Sequence, residues 1–452
     1  MKPTVADLLA QYTCNLQFSE IPGDVATLAK LAMRDGIGCA ISAANEPLIQ
    51  MLFDEAAETG GAPQCSVIGR NELLPHCSAA LVNGTAVQAF DFDDVSMVFS
   101  GHPTAVLLPV VLALGEFEGR SGKEVLTAYL CGYEVACSIS RLILPSSQNR
   151  GFHMTGVVGT LGAAAAAARL HGLSPSQTAH ALGIAASHAS GLRIDGGTMC
   201  KPLHAGRAAS NGIFAARMAL RGFTARIDFL ETQRGFVEAY SDEKRCGVFR
   251  PHGTDYYLRQ HIFKRHAACF YTHSAIECAR FLGSSMRERN SPRPLHIEIE
   301  VNPSAQLACG FLRPEDELEA KRSFPLGVAL AFDNADTADQ GNFRKVENSD
   351  RRLLDLLDII HLTSADDLAE TAARVMITYA DGSKDSHFCD VAVSPTTRDA
   401  SEQYSLDRKF ENLVTPVLGS ESATDLSESV LHLEQQLDMR HLAKKWQVPE
   451  RI

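Results

Sequence analysis

Several ionisable residues stand where helices are expected to begin, and that placement suits them to hold an anion. His102 precedes Pro103 and the apolar run AVLLPVVLALGE. His153 precedes GVVGTLGAAAA, and Lys201 precedes Pro202 and AGRAASNGIFAARMAL. Proline is favourable at a first helical position because its missing N–H would have found no partner there. Helix N-termini present free N–H groups and a positive partial charge, so a lysine or histidine beside each strengthens a site for carboxylate or phosphate. Taken singly, each of these residues also reads as an ordinary loop or capping group.

Two further clusters could do chemistry. Asp91-Phe92-Asp93-Asp94 groups carboxylates that could bind Mg²⁺, orient a histidine or act as a general base. Asp91, Asp93 and Val95 also fit an aspartyl-phosphatase pattern, but that pattern needs a strand before it, and LVNGTAVQAF has helical spacing. In Lys264-Arg265-His266-Ala267-Ala268-Cys269-Phe270-Tyr271-Thr272-His273, the residues His266, Cys269 and His273 fall on one face if the stretch is helical, and all three can ligate zinc. No fourth ligand is nearby. Without a metal, Lys264, Cys269 and His273 are candidate substrate-binding groups at a domain junction, where pockets often form. There is no GxxxxGK[ST] loop, no GxSxG elbow and no dinucleotide fingerprint, so nothing calls for a nucleotide or flavin.

The elements that must position these groups follow from hydrophobic spacing. Segments 28–44, 79–90, 122–143, 156–170, 176–187 and 205–220 carry apolar residues at helical intervals, separated by Gly, Pro and Ser. Many are rich in Ala and Gly, which lets helices pack closely. The texture changes near residue 263: HIEIEV alternates as a half-buried strand does, and RVMITY runs into Asp381-Gly382, a hairpin signal. Segments 319–332 and 349–356 between them read as helices, and helical texture returns after Ser394-Pro395 over 406–414 and 423–437. The expected fold is mainly α with a smaller α+β domain: a large helical domain over 1–263, an α+β lid over 264–395, and helices over 396–452 packing back on the first domain.

Composition bounds the partners. The 452 residues, 45% hydrophobic and 21% charged, are those of an ordinary globular chain able to bury a substantial core. Lysine plus arginine number 42 against 54 aspartate plus glutamate, a net charge of −12, which argues against nucleic acid or an anionic membrane as partner. An anionic substrate would then require cations gathered locally. No stretch reaches the roughly 18 apolar residues of a membrane helix. The N-terminus lacks a secretory pattern, and the 12 cysteines are scattered without a CxxC pair, so a reduced, cytoplasmic compartment is expected.

DFDD, GHPTAVLLP, GFHMTGVVGTLGAAAAAARL, GTMCKPLHAGRAA and FKRHAACFYTH, in this order and spacing, closely resemble the MmgE/PrpD family over about residues 25–395. Members include 2-methylcitrate dehydratase, cis-aconitate decarboxylase and iminodisuccinate epimerase. The resemblance implies a homodimer with its site between a helical domain and a lid, using no metal and no cofactor. It implies a small di- or tricarboxylate as substrate. Matched residue by residue, Asp91, His102, His153, Lys201 and Lys264 fall on the family's motif positions. His102 or His153 is then the acid/base, Asp91 orients a histidine, and Lys201 and Lys264 hold carboxylates.

The resemblance implies proton transfer at a carbon next to a carboxylate, with cations stabilising the extra negative charge. The expected activity is a metal-independent lyase, foremost a 2-methylcitrate dehydratase-like enzyme. Epimerisation of a dicarboxylate, itaconate-forming decarboxylation, or a non-catalytic binding role on the same fold are the alternatives. Cys269 stands where decarboxylases of the family carry a histidine, and Leu326 aligns with a position where they carry a tyrosine. GTMCKPLHAG, in turn, is closer to the decarboxylase and epimerase branches than to the lysine-glycine-tryptophan form of the dehydratases.

Overall fold

A computed structural model describes residues 3–243, 255–344, 351–392 and 400–448. The first part is helical: α1 (Val5–Asn15), α2 (Gly23–Ala43), α3 (Pro47–Thr59), α4 (His76–Gln88), α5 (Pro103–Glu118), α6 (Gly122–Ile143), α7 (Ser146–Asn149), α8 (Met154–Leu170), α9 (Pro175–Ala186), α10 (Cys200–Leu220) and α11 (Phe236–Tyr240). The paired two-residue strands β1 (Cys65–Ser66) with β2 (Leu73–Leu74), and β3 (Val95–Ser96) with β4 (His261–Ile262), tie loops between them.

Burial follows the apolar content. In α5 every residue from Pro103 to Gly115 is buried, and in α8 only Arg169 escapes among its 17 residues. Helices with no polar face must be covered on all sides, so α4, α6, α9 and α10 wrap these two. Close approach is achieved with glycine. A Cβ on Gly206 of α10 would lie 2.1 Å from the Leu81 carbonyl oxygen of α4, and one on Gly84 would lie 2.9 Å from Gly206 Cα. That crossing brings the first turn of α10 beside the loop that follows α4, where Asp91 sits.

The second part holds a four-stranded sheet of β5 (His296–Val301), β6 (Ile360–Ser364), β7 (Ala372–Thr378) and β8 (Lys384–Asp390) in the order β6-β5-β7-β8. β5 is parallel to β6 and antiparallel to β7, and β7 and β8 form the hairpin through Asp381-Gly382. Alternation in β5 buries Ile297, Ile299 and Val301. The sheet is covered by α12 (His273–Arg289), α13 (Pro303–Cys309) and α15 (Phe324–Phe332), with α14 (Glu317–Ala320), α16 (Gly341–Arg344) and α17 (Arg351–Asp358) alongside. The chain then returns in α18 (Ala400–Leu418) and α19 (Ser420–Leu431), which pack on α2, and α20 (Met439–Ala443), which packs on α5.

Two local expectations are corrected. The stretch 264–272 is not a helix: it runs irregularly into a 3-10 turn at Phe270–Thr272, and α12 starts only at His273. Its polar groups are used locally, with the Cys269 amide donating to the Lys321 carbonyl and the Ala267 amide to the Thr337 carbonyl, so no helical face carries His266, Cys269 and His273 together. Segment 319–332 is likewise two helices, interrupted where Ser323 caps α15 by accepting from the Leu326 amide. Residues 349–350 and the Ser394-Pro395 boundary lie outside the described residues.

Candidate active site

The helix starts at His102, His153 and Lys201 converge. His102 is the N-cap of α5 and His153 the N-cap of α8; Lys201 lies inside the first turn of α10, which begins at Cys200, two residues before Pro202. All three line a single cavity of about 200 Å³. The opposite wall comes from the second part of the chain through Cys269, Tyr271, Ala308, Arg322 and Glu370.

Asp91 lies at the base of this arrangement, 7% exposed. Its backbone is left-handed (φ 50°), a conformation that costs a non-glycine residue energy and clusters at functional sites. Lys201 Nζ stands 2.5 Å from Asp91 Oδ2 and Lys264 Nζ 2.5 Å from Oδ1, with Lys264 also donating to the Asp91 carbonyl at 2.6 Å. Arg322 Nη1 is 4.0 Å from Oδ2 and His102 Nε2 is 3.7 Å from Oδ1. Burial alone would raise the Asp91 pKa, but Lys201 and Lys264, helped by His102 and Arg322, hold it well below the ordinary aspartate range. Lys264, buried too, is held above the ordinary lysine range: burial opposes its charge, but Asp91, Asp93 and Cys269 together outweigh that cost.

His102 is oriented from its other side. Nδ1 lies 3.0 Å from the Asp94 carbonyl and 3.2 Å from Asp93 Oδ2. Asp94 accepts from Thr104 Oγ1 at 2.8 Å, and burial beside Asp93 pushes its carboxyl well above the ordinary range. Three cations, Lys201, Lys264 and Arg322, thus gather on the single carboxylate of Asp91. A positive excess remains for an anion. Asp91, Asp93 and His102 come within reach of a shared metal ion, yet both Asp91 oxygens are already held by ammonium groups whose charge opposes a cation there.

His153 is the neutral ring of the site. Burial, then Lys201 and the neighbouring His204, His102 and Arg322, lower its pKa well below that of an ordinary histidine. Its Nδ1 lies 3.0 Å from His204 Nδ1, and His204 Nε2 lies 3.4 Å from Asp195 Oδ2. Two facing ring nitrogens share one proton. The carboxylate of Asp195 keeps the His204 proton on Nε2, so His204 Nδ1 accepts and His153 Nδ1 donates. The tautomer that follows from these partners leaves His153 Nε2 with a free lone pair.

Of the residues picked from sequence, the structure brings Asp91, His102, His153, Lys201, Lys264 and Cys269 to one place, with Asp91 and Lys264 behind the residues that line the cavity. His273 is not brought there: it is buried against His266 and Phe270, with Nε2 3.3 Å from the Ala268 carbonyl. His266 is engaged by Thr337 and Glu277. Sequence reasoning missed Arg322, Arg193 and the His204–Asp195 pair. Arg322 had a legible signal, since it precedes the capped, proline-containing start of α15 much as His102 precedes α5.

The profile of the MmgE/PrpD N-terminal domain matches residues 7–248, and that of the MmgE/PrpD C-terminal domain matches residues 266–435. The chain belongs to the MmgE/PrpD family. Among relatives of this MmgE/PrpD protein, the cis-aconitate decarboxylase-like protein oryM of Aspergillus oryzae is 26% identical over 96% of this chain and 95% of its own length. A cis-aconitate decarboxylase of Aspergillus terreus is 25% identical over 99% and 97%, and that of Homo sapiens 29% identical over 80% and 77%. These relatives carry decarboxylase or decarboxylase-like names, and the likeness is to enzymes of the lyase kind. No helix among the described residues is long and apolar enough to cross a membrane.

Proposed function

We propose that this MmgE/PrpD protein is a metal-independent lyase of a small di- or tricarboxylate, acting by proton transfer at a carbon next to a carboxylate. One observation carries the reading: His153, neutral and with Nε2 free, shares a cavity with Lys201 and Arg322. The two cations hold substrate carboxylates and stabilise the charge that develops as the proton leaves. His153 Nε2 takes that proton. His102, across the cavity and oriented by Asp93 and the Asp94 carbonyl, is placed to protonate the departing group.

A base waiting in its neutral form favours dehydration of a hydroxy-tricarboxylate such as 2-methylcitrate: the C–H bond breaks, a C=C bond forms, and hydroxide leaves as water. Cys269 and Leu326, at positions where the family's decarboxylases carry histidine and tyrosine, support this choice. The second reading is decarboxylation of cis-aconitate, supported by the names of relatives aligned over nearly the whole chain. There the carbon next to one carboxylate gains a proton while another carboxylate departs as CO₂.

Incubating the protein with 2-methylcitrate, citrate and cis-aconitate in D₂O with EDTA, followed by NMR, separates these outcomes. Enoate formation from a hydroxy acid is expected. Itaconate from cis-aconitate with no enoate from either hydroxy acid would select the second reading. A dicarboxylate that only exchanges its α-proton would point to an epimerase, and inertness toward the whole panel would sink the lyase proposal.

A further inference from the structure

At the rim of the cavity, Asp195, Cys200 and His204 form a cluster that proton transfer does not use in full. Cys200 Sγ lies 3.9 Å from His204 Nε2, which lies 3.4 Å from Asp195 Oδ2, and the three donor atoms fall within 4.8 Å of one another. We propose that these residues form a binding site for a soft divalent metal ion, zinc in the first place, and that filling it switches His153 out of its basic tautomer.

The donor set is of zinc's kind, with one sulfur, one imidazole nitrogen and one carboxylate oxygen, and a fourth position left for water. Its dimensions fit as well. Tetrahedral bonds of about 2.3 Å to sulfur and about 2.0–2.2 Å to nitrogen and oxygen separate S from N by roughly 3.6 Å and N from O by roughly 3.4 Å. The side chains already stand close to that spacing, so binding needs little movement. Cys200 and His204 are one turn apart on α10 and project from the same side. Asp195 ends a 3-10 turn that is tied back when the Thr198 amide and hydroxyl donate to its carbonyl at 3.0 and 2.8 Å. Cys200 is exposed and the Asp195 side chain partly so, which gives an ion access from solvent.

Charge balances on binding. The Cys200 thiol releases one proton to solvent, and the resulting thiolate with the Asp195 carboxylate neutralises the dication. The site therefore passes from one negative charge, that of Asp195, to none, a gain of one positive charge beside Lys201. The metal takes the lone pair of His204 Nε2, and the single proton of that ring moves to Nδ1. His204 Nδ1, 3.0 Å from His153 Nδ1, then donates instead of accepting. The proton of His153 must move to Nε2, and the ring loses the lone pair it turns to substrate. The inhibition rests on the lyase reading above; the binding and the tautomer change do not.

The test uses the full chain, stripped with EDTA and desalted, with no substrate present. Titrating with Co²⁺ is expected to give a thiolate-to-cobalt charge-transfer band saturating at one equivalent, absent in both Cys200→Ser and Cys200→Ala. In protein with ¹⁵N-labelled histidine, Zn²⁺ is expected to move the His153 proton from Nδ1 to Nε2 in wild type and not in Cys200→Ser. Turnover of whichever carboxylate is consumed should be suppressed by Zn²⁺ in wild type and persist in Cys200→Ser. No band in wild type, or an equal band in both variants, would overturn the site. A band without the tautomer change would overturn the switch. Failure of the lyase reading would show separately, as no turnover by metal-free wild type.

Discussion

Lys264 meets Asp91 from behind the cavity, its Nζ 2.5 Å from Oδ1 and 2.6 Å from the carbonyl oxygen of the same residue. Lysine and aspartate here are both almost wholly buried. Removing Asp91 leaves Lys264 as an uncompensated buried charge, which costs about 3–5 kcal/mol. Asp91→Asn is therefore expected to lower unfolding free energy by that order in denaturant titration. Combining it with Lys264→Met should recover part of the loss. Additive losses in the double variant would show that the pair is not coupled.

Acid should weaken the fold in two stages. His153 has a depressed pKa, so its contribution is fully present above the ordinary histidine value of 6.5 and is lost as pH falls toward its folded value. Asp91, depressed below 3.8, adds a second loss at lower pH. Unfolding free energy measured from pH 7 to pH 3 should decline less steeply below pH 4 in Asp91→Asn than in wild type. Identical profiles would remove Asp91 from the account.

His153→Gln should reduce turnover by about a hundred- to ten-thousand-fold, the usual contribution of an acid/base group, with little change in substrate affinity. In NMR titration the wild-type ring should stay neutral well below pH 6.5. Lys201→Met, which removes the foremost charge that depresses it, should move its titration upward. An unshifted titration would mean that burial alone sets it.

Cys269 should be the reactive thiol of the cavity. A hydrogen bond from Cys309, and then Arg322, lower its pKa well below that of a free cysteine despite burial, and thiolates are the form that alkylates. Cys278 is pushed up to about 12 by burial. Iodoacetamide at neutral pH, read by peptide mass mapping, should label Cys269 ahead of Cys278, and bound carboxylate should protect it. Arg322→Met should slow the labelling.

Some of this was legible locally. The helix starts at His102 and His153 follow from a proline or a small-residue run placed after a polar residue, and the β7–β8 hairpin follows from Asp381-Gly382. Such signals depend on a few neighbouring residues, and those neighbours are printed in the chain. The stretch around Cys269 misled for the same reason. Its spacing suits a helix, but backbone groups there pair with Lys321 and Thr337, more than fifty residues away.

Residue types and spacing determined that this is a mainly helical chain with a smaller α+β part, and that it carries basic groups at several helix ends. Tertiary structure alone decided which of them meet. Gly84 and Gly206 allow α4 and α10 to touch, and that contact carries Lys201 to Asp91 across 110 positions. The same contact brings in His204 on α10, while packing within the second part of the chain supplies Arg322 and holds His273 against His266 and Phe270. Electrostatic effects fall off over a few ångströms and depend on burial, so the neutral state of His153 and the charge of Asp91 existed only once those distances were set.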